Sequence, residues 1–374
     1  MRFRRLPVWL LLMPLFCFAD GAEFWLSPSG SDVGPGTKTQ PFATLERARD
    51  ALRKARGAAP ECPAVVHLLP GVYPRNKTFE LAAKDGGAVT YRAEGEVVLR
   101  AGTSVPAAAL RLVTDPQVLA RMDAAARGKV FEIDLRSAGI RNVRRFPDHF
   151  SGAGGLCELY WNGRRLPLSR WPNGTDATMA QVLERGDDKS KTGHGGVFVA
   201  REDRVARWNV TNGVWVEGYW RVPWAPSVLR VSAIDPATRA VTLAVPIGGG
   251  IGSKYAKGAA LGDGKEPWWA VNLLEEVDVP GEWCVDFEAK KLYLWPPSAP
   301  AEAVFSVADM EAPMVVAQGA SRIVFEGLTF EQGLGDGIDI RGGEDVLVAG
   351  CVFRSLGGNG VVVRGGVRNG VRSS

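Results

Sequence analysis

Six carboxylates fall in one short stretch near the C-terminus: Glu326, Glu331, Asp336, Asp339, Glu344 and Asp345. Paired carboxylates are the groups that hydrolyse acetal bonds between sugars. One serves as acid and the other as base or nucleophile, ~5–5.5 Å apart for retention or ~6.5–9.5 Å apart for inversion. Asp336 and Asp339 are the best placed of the six, because both lie near a glycine-rich turn. The competing reading makes Asp336 a turn residue and Asp339 part of a solvated strand face. The residue types alone leave the catalytic groups unassigned.

Other chemistries find less support. Three histidines are too few for sites that need several imidazoles, and His67 lies in an apolar strand, where a structural role is expected. Of five cysteines, Cys17 leaves with the N-terminal segment described below. Cys62, Cys157, Cys284 and Cys351 are scattered, without metal-site spacing. They could form two disulfides in an oxidising compartment, although Cys351 reads as plain core. A calcium-dependent lyase would want about 6–8 oxygen ligands, and no dense Asp cluster is present. No G-x-S-x-G nucleophile elbow occurs. Gly34-Pro35-Gly36 and Gly248-Gly249-Gly250 lack the fingerprint of a phosphate loop. No metal and no cofactor is expected.

The elements that must position the six carboxylates show a repeat. Gly319, Gly342 and Gly365 are each 23 residues apart, and Gly337-Ile338-Asp339-Ile340-Arg341-Gly342-Gly343 matches Gly360-Val361-Val362-Val363-Arg364-Gly365-Gly366 at the same offset. Ile323-Val324-Phe325 maps onto Val346-Leu347-Val348, and Phe330 onto Phe353. Short β-type runs with glycine turns at this period are a solenoid signature. Strand alternation puts Ile338, Ile340, Val361 and Val363 inside and Asp339 outside. At the same offset, Glu326 falls opposite Ala303 and Ala349, Glu331 opposite Ala308 and Arg354, and Asp345 opposite Arg322 and Arg368. Asp336 falls opposite Pro313 and Asn359, Asp339 opposite Val316 and Val362, and Glu344 opposite Ser321 and Val367. No carboxylate stacks on another, which weakens a two-carboxylate site here.

Residues 1–19 read as an export signal: basic Met1–Arg5, an apolar run over Leu6–Phe18, then the small Ala19. The apolar run is shorter than the ~20 residues of a bilayer span. The formal charge is +4. Loss of Arg2, Arg4 and Arg5 leaves about +1, which argues against a nucleic-acid binder. The chain then opens with a strand at Phe24-Trp25-Leu26 and a turn-rich stretch. A helix follows, capped by Thr44, with Leu45, Ala48, Leu52 and Ala55 as its apolar stripe and Gly57 as its stop. Strands follow at 65–69, 89–92 and 97–100.

From about 105 to 300 the 23-residue period is absent. Asp115-Pro116 starts a second helix with Val118, Leu119, Met122 and Ala125 on one face and Gly128 at its end. Ten of the twelve tryptophans fall between Trp161 and Trp295. Most are expected in an all-β core. Clustered tryptophans could also line a sugar-binding surface, and Trp268-Trp269, in a loop-like stretch, is the least core-like pair, because adjacent strand residues face opposite sides.

The run "FWLSPSGSDVGPGTKTQPFATLERARDALR", followed by "VVHLLPGVY", resembles the opening segment of right-handed parallel β-helix proteins of the pectin-lyase type. With "ELYWNGRRLPLSRWPN", "GEWCVDFEAKKLYLWPP" and the later repeats, nearly the whole mature chain is similar to glycoside hydrolase family 141. The resemblance implies an all-β, right-handed parallel β-helix with a Trp-rich inserted β domain. Its expected boundaries are a signal at 1–19, an N-terminal cap and first strands at 20–104, an insertion at 105–300 and helix rungs at 301–374. It further implies a secreted or periplasmic carbohydrate-active protein that meets plant or algal polysaccharide or oligosaccharide, with α-L-fucosidase and xylanase activities in the family. It places the catalytic acids in later rungs, so the chain reads as a C-terminally truncated member. The uncapped last rung would expose its apolar cross-section. The alternatives are a non-catalytic glycan-binding or structural module and a polysaccharide lyase.

Overall fold

The computed structural model describes residues 21–57, 62–140, 143, 157–187, 194–252 and 265–374. The expected export signal lies outside the described residues. The chain is mostly β, with 42% strand against 11% helix, and it divides into two compact units. One comprises residues up to Arg100 together with Ala312–Glu331 and Asp336–Ser374. The other comprises Ala101–Glu311 and Gln332–Gly335.

The first unit is built from parallel ladders. In one sheet, the strands Ala22–Leu26, Ala64–Leu68, Val89–Arg100, Ile323–Gly333, Leu347–Ala349 and Gly370–Arg372 lie side by side. Phe24, Val66, Tyr91, Phe325, Val348 and Val371 form one column across them. The Tyr91 and Phe325 rings stack at 5.6 Å. In the second parallel sheet, Phe79, Val315, Ile338 and Val361 are in register. From Val315 onward the partners are 23 positions apart, as the repeat predicts. Ile338 and Ile340 are fully buried. Val363 is 45% exposed instead of interior, because Val361–Arg364 is an edge strand with a neighbour on one side only.

The offset fails at its upstream end. Glu326 and Glu331 lie beside Arg92 and Arg100, not beside Ala303 and Ala308. The strand Val89–Arg100 fills that place in the sheet, and Ala308 pairs antiparallel with Gly102 in the second unit. Turn geometry keeps the period where it holds. Gly319, Gly342 and Gly365 have φ of 66°, 68° and 73°. A Cβ there would meet nothing within 4 Å, so the left-handed backbone, not lack of space, selects glycine. Three residues on, Arg322, Asp345 and Arg368 each have φ 55°.

The helix Leu45–Arg56 starts where predicted, with the Thr44 hydroxyl accepting from Arg47 N and Gly57 following its last residue. Its buried face is Leu45, Ala48, Ala51, Leu52 and Arg56. Ala55 is exposed, so Arg56 takes the place expected for Ala55.

The second unit is antiparallel. Its seven-stranded sheet covers a core that includes Phe198, Val216, Trp220, Leu229, Val241 and Trp268. The second helix spans only Pro116–Arg121, with Asp115 capping Gln117 N. Met122 remains buried, and Ala126 is buried where Ala125 was expected. Six of the ten tryptophans in this region, Trp161, Trp208, Trp215, Trp220, Trp268 and Trp283, are buried. Trp268 therefore departs from the loop-like reading: it lies in the strand Trp268–Val271 and points into the core. Cys157, Cys284 and Cys351 are free and buried and Cys62 is disulfide-bonded, so the two disulfides that four cysteines could have made among themselves are not formed. Burial pushes the Cys157 thiol up to about 12. Among the described residues, no helix is long and apolar enough to cross a membrane.

The ion pairs of the parallel unit alternate in sign along the stack. Glu331 is 4% exposed and sits between Arg100, at 2.7 Å, and Arg354, at 2.8 Å. Asp345 meets Arg368 at 2.6 Å on the surface. A buried acid shared by two cations contributes more than an exposed pair, whose two side chains are already solvated. Glu331→Ala is expected to lower stability by about 1–2 kcal/mol, and Asp345→Asn, which removes the charge but tolerates the left-handed backbone, to leave Tm unchanged within error. Thermal denaturation of both variants checks this ordering, and equal losses would contradict it.

Candidate functional site

Asp336 and Asp339 do not form a carboxylate pair. The Asp336 Oδ1 accepts from Asn359 N at 2.7 Å and from Asn359 Nδ2 at 3.1 Å, which ties one turn to the next. Asp339 was expected on a solvated face. It is instead 1% exposed, with Arg341 Nε donating to Oδ2 at 2.9 Å and Arg364 Nε to Oδ1 at 3.2 Å. Two guanidinium groups stacked in neighbouring strands need a counter-charge, and Asp339 supplies it. Glu326 is paired with Arg92, and Glu344 and Asp345 with Arg368. Each of the six carboxylates thus has a structural partner. His67 is likewise held in place, with Nδ1 2.6 Å from Glu94 Oε1 and its ring stacked 4.1 Å from Trp25.

The second unit brings together polar groups that the sequence pattern did not single out as a set. Strand alternation explains how. On Trp268–Val271, Trp268 and Ala270 enter the core, so Trp269 and Val271 take the other face. On Val214–Gly218, Val214 and Val216 enter the core, so Trp215 and Glu217 take that same other face. Gly218 leaves room for its neighbours, since a Cβ there would stand 2.9 Å from Trp268 Cβ and 3.0 Å from the Trp220 ring. Glu217 and Trp269 are direct cross-strand partners. Arg170, opposite Val271, is a diagonal neighbour of Trp269, close enough for a long side chain to reach.

The resulting constellation is compact. The Trp269 indole N–H donates to Glu217 Oε2 at 3.2 Å. The Arg170 guanidinium lies 4.8 Å from the Trp269 ring centroid. The Tyr219 ring approaches edge-on at 6.1 Å. Arg170 is fixed by Asp176 Oδ1 at 2.6 Å and by the Pro172 and Thr175 carbonyls. All four residues are half-buried. Burial raises the Glu217 carboxyl above its ordinary value, while the indole N–H and Arg170 pull it back. An indole face, a phenol edge, a carboxylate acceptor and guanidinium donors together match the apolar face and equatorial hydroxyls of a sugar ring.

A second group of acids lies in the segment between Leu274 and Glu282. Glu276 is fully buried, accepting from Trp208 Nε1 at 2.6 Å and from Arg204 Nη2 at 2.5 Å. The same Arg204 nitrogen reaches Asp278 Oδ2 at 2.8 Å. Glu282 is 3% exposed, and its Oε2 accepts from the backbone N–H of Asp278 and Val279. Burial, reinforced by the Asp278 charge, raises Glu282 to about 7, although the backbone donors oppose the rise. These acids hold a turn and the half-buried Arg204 together. The sequence signal for them was three acids within seven residues around Pro280-Gly281. Among the described residues, no group of three or more His, Cys, Asp or Glu is placed to hold a metal ion.

The fold is similar to that of a solved structure described as a glycoside hydrolase. The TM-score is 0.64 at 16% identity, covering 91% of this chain and 67% of that one. At that identity the likeness is one of fold. A second solved structure, described as the complex structure of XylC with xylose, aligns at a TM-score of 0.38 and 13% identity over 87% of this chain and 40% of that one. This is too distant to carry an argument. No family model and no curated protein matches the sequence.

The raised Glu282 has a consequence for stability against pH. An unfolded glutamate titrates near 4.5 and the folded one near 7, so the folded state holds the proton longer. The stabilisation from that proton is complete below about 4.5 and is lost as pH rises through about 7. Glu282→Gln keeps the carbonyl acceptor and removes the titration. Its Tm should fall less than that of the wild type between pH 4.5 and 7.5, by a few degrees. Parallel Tm curves for the two proteins would show that Glu282 does not titrate in this range.

Proposed function

We propose that this chain is a carbohydrate-active protein of the right-handed parallel β-helix type, resembling glycoside hydrolase family 141, and that it binds glycan at the Trp269–Glu217–Arg170–Tyr219 face of its inserted β domain. The observation that carries the reading is that constellation itself: an aromatic platform with a carboxylate and a guanidinium fixed beside it. The parallel strands in a 23-residue register support the solenoid reading. Likeness of fold to a glycoside hydrolase is consistent with a carbohydrate role. A secreted or periplasmic location, with plant or algal polysaccharide as the partner, follows from the leader-like N-terminus and the family resemblance.

Hydrolysis by this chain is the less favoured reading. The six carboxylates between Glu326 and Asp345 are held by arginines or by turn backbone, and an acid already engaged this way is poorly placed to exchange protons with a substrate. We read the catalytic pair of the parent activity as lying outside this set.

Isothermal titration of the full chain with xylo- and fuco-oligosaccharides tests the proposal. Saturable binding is expected, weakened at least tenfold in Trp269→Ala and several-fold in Glu217→Gln, without release of reducing sugar. Binding that is unchanged in Trp269→Ala would remove the assigned surface. Turnover that disappears in Asp336→Asn or Asp339→Asn would replace the binding reading with hydrolysis.

A further inference from the structure

The buried arginine at the end of the first helix belongs to a second feature, separate from the sugar-facing surface. A pocket of about 240 Å³ is lined by Arg49, Arg53, Arg56, Lys84, Asp85 and Tyr91, with Leu52 and Gly57 completing the wall. All of these residues belong to the parallel unit. The volume is below the ~300 Å³ at which drug-sized pockets begin, so it suits one small group.

The charges around this pocket do not cancel. Arg53 is held by Asp85, with Nε at 2.5 Å from Oδ1 and Nη2 at 2.8 Å from Oδ2. Arg49 lies 3.0 Å from Asp50, which also contacts Arg53 at 2.9 Å. Two arginines are thus offset by two carboxylates. Arg56 is different. It is 8% exposed, and its terminal nitrogens donate to the carbonyls of Gly86 and Gly87. Its Nε–H has no partner. Carbonyl dipoles satisfy hydrogen bonds but do not neutralise a full charge. Among the described residues no carboxylate pairs with Arg56 or with Lys84. Burial, and then the nearby Arg322, push the Arg56 guanidinium below its ordinary value, as expected of a cation without a counter-ion.

Burying a charge without a partner is costly. The C-terminal end of a helix favours cations, and this accounts for a basic last turn. It does not account for a cavity left open among four cations. We propose that this pocket binds an oxyanion, a carboxylate or a sulfate group, that completes the charge balance of Arg56 and Lys84. The group could arrive as a free inorganic anion or as the acidic substituent of a sugar, and the recognition chemistry is the same for both: guanidinium and ammonium donors around a small, multiply accepting anion.

The test is calorimetric titration of the full chain, at low and matched ionic strength, with sodium sulfate, sodium galacturonate, galactose and sodium chloride. Saturable binding of sulfate or galacturonate is expected, with none for galactose or chloride. Binding of sulfate and galacturonate alike identifies a general oxyanion site. Binding of galacturonate alone identifies the sugar acid as the source. Arg56→Met is expected to abolish binding, but Arg56 also fastens Gly86 and Gly87 and its loss could unfold the protein. Lys84→Gln changes an exposed side chain and should weaken binding about tenfold with Tm unchanged. Trp269→Ala should bind the anion as the wild type does, which separates this site from the sugar-facing one. Absence of saturable binding over the chloride control, or equal affinity in Lys84→Gln, overturns the proposal.

Discussion

Parallel strands stacked in register place chemically equivalent positions one above another at the inter-strand spacing of ~4.8 Å. Apolar side chains profit from this, as in the column of Phe24, Val66, Tyr91, Phe325, Val348 and Val371. Charged side chains do not, because like charges at that distance repel. The parallel unit resolves the conflict by alternating sign. Arg100, Glu331 and Arg354 form one such series. Arg322, Asp345 and Arg368 occupy equivalent left-handed turn positions in another, with Asp345 held below its ordinary value first by Arg368 and then by Arg322. Where two arginines stack, as Arg341 and Arg364 do, Asp339 is drawn beneath them. The same constraint that builds the stack therefore uses up its acids.

The antiparallel unit is free of that constraint. Its neighbouring strands come from different parts of the sequence, and direct partners can be unlike: Glu217 faces Trp269, and Val271 faces both Arg170 and Trp215. A platform of mixed chemistry is easier to assemble on such a sheet than on a stack of repeats. Alternation then divides adjacent residues between faces. Trp268 becomes one of the largest fully buried side chains in the chain, while Trp269 becomes available for recognition.

Much of this was legible in the residues. The 23-residue offset located the later strands and their glycine turns. Thr44, Leu45, Ala48, Leu52 and Gly57 located the first helix. The expectation that tryptophans fill the core held for most of those in the inserted region. What failed did so for definite reasons. Asp339 reads as exposed from alternation alone, because alternation assigns a face but not what covers it, and the cover comes from arginines two and twenty-five positions away. Ala55 reads as core because it continues the apolar stripe, but a stripe does not show what covers its last turn, and there it is Arg56 that is buried, with its terminal nitrogens on the Gly86 and Gly87 carbonyls. The upstream neighbours of Glu326 and Glu331 were misplaced because a period cannot see that a strand from residues 89–100 occupies the next place in the sheet. Pairings such as Glu217 with Trp269 span dozens of residues and leave no local signal.

Charge gives these two units opposite functional prospects. In the parallel stack Glu326, Glu331, Asp339, Glu344 and Asp345 are each matched by an arginine, whereas the buried Arg56 meets only carbonyls and has no carboxylate partner among the described residues. In the antiparallel sheet the acids of the segment after Leu274 are matched internally by Arg204 and backbone N–H groups, which leaves Glu217 as a carboxylate held by an indole N–H beside an aromatic ring. A single hydrogen bond from an uncharged donor holds a carboxylate far less tightly than a bidentate arginine does. Glu217 can therefore exchange its partner for a ligand hydroxyl at lower cost than the arginine-paired Glu326, Glu331, Asp339, Glu344 and Asp345 can.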